Sequence, residues 1–384
     1  MKKLKIFTFI SLISLLSSSC EKLLIQNDKN FPYENAQFSP EYIQKNDGKA
    51  NFEIPELYEL MKVAISFTDY SKANPGNITN TQTEYFREVQ TVFLPFKTHA
   101  LIQKLNKRIK NINDDYRYRD NSYAFEFDGN DKIVSRKIYP HIWNGEYGKN
   151  LFVKLIPDLE DFAKQAKFRQ FYQSKRAFYE SLIASQKIVM PVEKMKVWLE
   201  QRFAVRYNAM KVVFSPLTGG NHSTTNFETP QFKETLMFVS YTDFDTNKYT
   251  KGQIEGLASR IVFTEIDHNY VNPTTEKYSS EMKIAIGDWK KWNNANGVSS
   301  TYASAYLTFN EYMTWGFFSL YAKDNFSKTD FEIINQETEF VMNRRGFNQF
   351  SIFNKEILKI YAENPQISVD NIYLKMFEWM KKQG

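Results

Sequence analysis

Cysteine is almost missing from this sequence: the only one is Cys20, and histidine occurs just four times. One thiol excludes an internal disulfide and any zinc centre built on cysteines. A bound metal would have to be held by His, Asp, Glu or water. Long apolar runs are also scarce, and after Leu16 no stretch is apolar enough to cross a bilayer. Clustered basic residues are lacking as well. The formal net charge is +6, but Lys, Arg, Asp and Glu are interspersed throughout, which argues against nucleic acid as a main partner. There is no G-x-S-x-G elbow, no Walker A loop and no G-x-G-x-x-G fingerprint.

The N-terminus carries an address. Lys2, Lys3 and Lys5 precede an apolar run from Ile6 to Leu16, and Ser17, Ser18 and Ser19 lead into Cys20. This pattern predicts a lipoprotein signal peptide over residues 1–19, with Cys20 acylated as the mature N-terminus. The mature chain would then have no free thiol for nucleophilic chemistry. It would sit in a bacterial cell envelope, periplasmic or surface-exposed, and touch the membrane through its lipid. An ordinary signal peptide with a chance cysteine is the competing reading.

Periodicity predicts an α+β chain that is predominantly helical. Residues 20–51 are polar with little periodicity and read as a lipid-anchored tether. Residues 52–207 read as a helical N-terminal half: helices at 54–68, 88–109 (split near Pro95), 158–186 and 192–203, with loops and short strands over 111–150. Residues 208–384 form the C-terminal half. There "AMKVVFSPL" and "ETLMFVSY" read as two strands separated by a Gly-Gly turn region, and helices follow from Lys251 onward. The result is a small β-sheet placed just before the helix that carries the most chemistry.

That helix contains "VFTEIDHNYVNP", Val262 to Pro273. A zinc-peptidase helix reads H-E-x-x-H: two His one turn apart bind the ion, and the Glu activates its water. Here Glu265 and His268 stand in the expected places and Thr264 replaces the first His. On a helix the side chains of Glu265 and His268 project about 60° apart, so both can address one point. Downstream, "YLTFNEYMTWGFFSLYA" holds one acidic residue, Glu311, among aromatics. It either faces water or needs a buried partner. Asp267 is a further candidate ligand if the helix is rotated. None of the other histidines has Glu three residues before it, which removes a carboxylate-bridged di-iron site. His99 and His141 read as packing or surface residues.

"TEIDHNYVNP" followed by "FNEYMTW" resembles an uncharacterised family of bacterial secreted and lipoprotein chains, a domain of unknown function. Its more standard members read H-E-F-x-H-x-F-V-N-P and resemble gluzincin metallopeptidases. The likeness is best over residues 209–350 and includes "SPLTGG" and "RRGF". It implies a zincin-like C-terminal half, with Glu265 as general base and His268 and Glu311 as zinc ligands. Thr264 departs from the pattern, so the first ligand is missing. His222, in "SPLTGGNHSTTN", is the candidate substitute, since the Gly219-Gly220 pair could let its loop fold toward the helix; a solvent-facing loop histidine is the alternative. Arg344 and Arg345 could hold a substrate carboxylate, or simply end a helix before Gly346. Two functions follow as expectations. One is an extracytoplasmic zincin-like metallopeptidase, a hydrolase that cleaves peptide bonds through a metal-activated water. The other is a catalytically inactive pseudoenzyme whose cleft binds a peptide, a glycan or a protein.

Overall fold

The computed structural model describes residues 35–143 and 152–383. Cys20, the signal segment and the first part of the tether lie outside the described residues. The elements run α1 (Pro40–Asn46), β1 (Ala50–Glu53), α2 (Glu56–Ser66), α3 (Asp69–Ala73), α4 (Glu84–Phe93), α5 (Ala100–Arg108), α6 (Ile112–Arg119), β2 (Phe125–Phe127) and β3 (Ile133–Ser135). They continue through α7 (Ile156–Gln165), α8 (Phe168–Ser174), α9 (Arg176–Val189), α10 (Val192–Arg202), β4 (Ala209–Ser215), β5 (Ser223–Glu228) and β6 (Lys233–Ser240). The last are α11 (Lys251–Lys277), α12 (Ser279–Ile286), α13 (Ala305–Asn325), α14 (Lys328–Arg345), α15 (Phe350–Glu363) and α16 (Val369–Met380). The fold is α+β and predominantly helical. None of the described helices is long and apolar enough to cross a membrane.

Four strands in the order β1-β4-β6-β5 make the main sheet. β1, β4 and β6 are parallel, and β5 runs antiparallel to β6 at the edge. β4 is buried along its whole length, which is why it reads as a near-continuous apolar run rather than an alternating one. β5 is polar and partly exposed, as a strand paired on one side only must be. The sheet draws on both halves of the chain. Tyr58 of α2 stacks on Phe238 of β6 at 5.8 Å, and the buried side chains of the two halves form one core.

The tether expectation is corrected here. Residues 40–53 are not a tether: they form α1, capped by the Ser39 hydroxyl, and β1, which enters the sheet beside β4. Asn, Gln and Lys hide this because α1 exposes most of its surface and β1 is a short edge strand. The helix read over 158–186 is broken into α7, α8 and α9; Lys167 adopts a left-handed φ of 51° between the first two. The Asn-rich stretch read as loops holds α6, which Asn111 caps through its side chain. The expected split at Pro95 is present, with a short 3-10 turn between α4 and α5.

α11 begins at a capping box made by Thr250 and Gln253. It packs on β5 and β6 on one side and on α13 and α14 on the other. Gly256 makes the second contact close: a Cβ there would meet Ile334 of α14 at 2.1 Å. α13 is buried continuously from Thr308 to Ala322, so Glu311 has no route to bulk water along its own helix.

Candidate functional site

Arg260, Thr264 and His268 recur every four residues along α11 and form one stripe. Thr264 is turned back on its own helix, its hydroxyl donating to the Arg260 carbonyl at 3.0 Å. His268 keeps its expected place. Its Nδ1 lies 3.3 Å from Asn272 Oδ1 and 3.4 Å from Thr314 Oγ1, and its Nε2 lies 3.7 Å from Glu311 Oε2. The sequence therefore brings His268 and Glu311 together as the motif implied.

What meets Glu311 was not foreseen. Arg345 Nη1 lies 2.7 Å from Glu311 Oε1, and the Trp315 indole donates to the same oxygen at 3.0 Å. Arg345 Nη2 donates to the Tyr302 hydroxyl at 2.9 Å, and its guanidinium lies 5.1 Å from the Trp315 and Phe347 ring centroids. The buried carboxylate thus has a fixed cation as partner. Arg345 thus spends Nη1 on Glu311 and Nη2 on Tyr302, with the Trp315, Phe347 and Tyr302 rings against its guanidinium. Burial works against the guanidinium charge, but Glu311 and Tyr302 outweigh it and hold its pKa above the usual value.

Arg344 points elsewhere. It is exposed and lies over the Phe340 ring at 5.8 Å, and Gly346 ends α14 in a left-handed conformation with φ 98°. Of the two readings of Arg-Arg-Gly the structure shows the helix end, at Gly346, and places Arg345, not Arg344, beside Glu311.

The strand wall of the cleft is built around the loop before β5. Its glycines do not let it swing. Gly220 N donates to Gly76 O at 2.9 Å and Asn221 N to Asn77 O at 3.2 Å, and a Cβ on Gly219 would meet Asn77 O at 2.3 Å. His222 is accordingly fixed, with Nε2 3.1 Å from Ser240 Oγ and its carbonyl accepting from Tyr116 Oη at 3.0 Å. Beneath it Arg119 spans the wall. Its Nε donates to Asp120 at 2.7 Å, Nη1 to Asn221 O at 3.0 Å and Nη2 to Ser223 Oγ at 3.1 Å. β5 is tied to α11 by Asn269, which donates to Thr224 Oγ1 at 3.1 Å and accepts from Asn226 at 3.0 Å. A cavity of about 670 Å³, lined by Pro216, Tyr85, Phe178, Tyr241 and Phe244, opens at the carboxyl ends of β4 and β6, next to Ser240.

Burial and mutual repulsion set the charges. Burial pushes the Glu265 carboxyl up to about 8, and Glu311 adds to the effect while Arg345 and Arg119 oppose it. Burial and the positive charges of Arg119 and Arg345 push His222 down to about 3. Asp267 is fully buried with no hydrogen-bond partner on either carboxylate oxygen, and its pKa is raised well above the usual carboxylate range by burial, Glu265 and Glu311. Burial and Glu311 therefore favour the protonated form of Glu265, which can donate as well as accept.

Among the described residues no three His, Cys, Asp or Glu side chains converge as a metal site does. His99 caps α5 and pairs with Asp161 at 3.0 Å, away from this cleft. In the sequence Arg260 and Tyr302 are passed over, and Trp315 counts only among the aromatics around Glu311. Arg260 and Trp315 had a signal, since each lies one helical turn from a candidate, Thr264 and Glu311; Tyr302 had none. Searches of protein-family models, of curated proteins and of solved structures find no match to this chain.

Proposed function

We propose that the protein is a zincin-like pseudoenzyme that binds an extended peptide in the cleft between β5 and α11 without cleaving it. The observation that carries this reading is the Arg345–Glu311 pair at 2.7 Å. Glu311 is the position where the resemblance implies a metal-binding oxygen, and a guanidinium already neutralises it.

The residues as arranged do not fit a zinc ion. Thr264 spends its hydroxyl on the helix backbone, and His222 is fixed against Ser240. One imidazole, His268, faces the shared point, whereas a catalytic zinc site takes three protein ligands. Without the ion, Glu265 has no bound water of lowered pKa to deprotonate, and burial favours its own protonated form. The metallopeptidase reading therefore lacks its second nitrogen, and its carboxylate is held by Arg345.

A peptide suits the geometry because β5 is an edge strand. Among the described residues no strand pairs with its outer backbone groups, and a peptide laid along it would gain main-chain hydrogen bonds while its side chains alternate toward and away from α11. Attachment to an envelope membrane through Cys20 belongs to the same proposal and would hold the cleft outside the cytoplasm.

Elemental analysis of the purified chain after zinc loading and exchange into metal-free buffer, beside His268→Ala, tests this. The expected result is no stoichiometric zinc in either protein and no hydrolysis of a peptide mixture. Near-stoichiometric zinc that disappears in His268→Ala, with cleavage lost in Glu265→Gln, would replace the binding reading with the enzyme.

A further inference from the structure

Two guanidinium groups lie over the Trp315 ring, Arg345 at 5.1 Å from its centroid and Arg260 at 5.6 Å. Their surroundings differ. Arg345 is paired with Glu311, but Arg260 makes no ion pair among the described residues; its one hydrogen bond is a 3.5 Å contact with Thr338 Oγ1. Glu337 and Tyr249 favour its charge from a distance, while Arg345 and Arg344 oppose it. A half-buried cation beside a second cation is costly to keep unless something anionic completes the set.

The charge count gives that anion a place. A divalent metal with one carboxylate leaves one net positive charge. Arg260 and Arg345 with Glu311 leave the same net charge, and because Arg345 is engaged with Glu311 and Tyr302 it is displayed on the planar fork of Arg260 instead of on an ion with open coordination sites. A metal there would polarise a peptide carbonyl; the Arg260 fork on an indole face matches a carboxylate, which accepts two parallel hydrogen bonds from such a fork. Trp315, Tyr302 and Phe347 hold Arg345 in orientation before any ligand arrives. Arg260 lies on the same α11 stripe as Thr264 and His268, against Trp315 of α13 and Thr338 of α14, and the threonine one turn on leaves more room than an imidazole.

We infer that the ligand of this cleft carries a carboxylate, at its C-terminus or on an Asp or Glu side chain, that docks on the Arg260 guanidinium, beside Arg345 at Trp315. The inference rests on the peptide-binding reading and narrows it to acidic peptides.

A degenerate octapeptide library, made once as free acids and once as C-terminal amides, would be captured on the immobilised full chain and the bound members identified by mass spectrometry. Enriched peptides would then be resynthesised for titration against wild type, Arg260→Gln and Arg260→Lys. The expected result is enrichment of free acids, or of Asp- and Glu-containing members in the amide library. The first pattern identifies the C-terminus as the source, the second a side chain. Neutralising that carboxylate should weaken binding about tenfold or more, on the strength of hydrogen bonds to a charged group. Arg260→Gln should bring the acid and neutral forms within about twofold, and Arg260→Lys, with charge but no fork, should fall between. Binding of both libraries with no preference for acids, or a preference that survives in Arg260→Gln, would overturn the carboxylate inference and leave peptide binding standing. Capture of neither library would overturn both.

Discussion

The two walls of the cleft bury similar ionisable groups and pair them in opposite ways. On the strand wall every nitrogen of Arg119 has an acceptor, and Asp120 takes both the guanidinium and the Ser223 hydroxyl, at 2.7 Å each. On the helix wall Asp267 has no partner on either oxygen, and Arg260 has one long hydrogen bond. Desolvating a charge costs several kcal/mol, so a wall that offsets most of this with internal partners, only Asp115 Oδ1 and Asn221 Oδ1 of its network staying unbonded, gains a fixed shape, whereas a wall that leaves charged groups open retains energy for a ligand. The strand wall places His222 and β5; under the binding proposal the helix wall, with Arg260, is the side left to meet a ligand.

The largest expected effect tests the closed wall. Arg119→Met should cost about 3–5 kcal/mol of stability, because it strands Asp115 and Asp120 in a dry environment and frees the loop they hold. Urea unfolding measures it. A loss below about 1 kcal/mol would mean that the network is dispensable, and the contrast between the walls would fail.

The same contrast explains how much of the molecule was legible. Helices with clear periodicity and the two buried strands were readable because burial imposes a pattern on sequence. β5 was not: "STTNFE" is an edge strand whose apolar content is low because only one side is covered. The candidate site was legible where helical spacing carried it, as for Glu265, His268 and Glu311. Arg345 stood out, but only as one of a pair of equal letters; that it reaches Glu311 while Arg344 lies on Phe340 follows from the angle at which α14 packs. The Arg119 network joins residues about a hundred positions apart, which no local pattern records.

The walls should also titrate in opposite directions. Glu265 has a folded pKa of about 8 against an ordinary value of 4.5, so its contribution to stability is full below pH 4.5 and is lost as pH rises through 8. Asp267 acts in the same direction. His222 goes the other way: lowered from 6.5 to about 3, it contributes above pH 6.5 and loses that contribution as pH falls toward 3. Each group changes the slope by at most about 1.4 kcal/mol per pH unit. In a pH series of thermal melts, Glu265→Gln should flatten the alkaline fall and His222→Asn the acidic one. The groups facing Glu265 are Glu311, Arg345, Arg119 and Asp120, so Arg119→Met should shift the alkaline limb as well. A Glu265→Gln profile that overlays wild type would show that the carboxyl is already ionised at neutral pH.

The smallest expected effect is the sharpest test of the open wall. Arg260→Gln should change stability by no more than about 0.5 kcal/mol, the usual range for a side chain without a structural role. The reason is specific to its setting. The substitution gives up one 3.5 Å hydrogen bond and a contact with the Trp315 ring, and it removes repulsion from Arg345 and Arg344, so the terms oppose one another. Burial already lowers the Arg260 pKa to about 10, a sign that the folded chain gains little from this charge by itself. If unfolding instead shows a loss above about 1.5 kcal/mol, Arg260 is as structural as Arg119. The helix wall would then be closed by interactions of its own, and a carboxylate would have no unmet charge to find there.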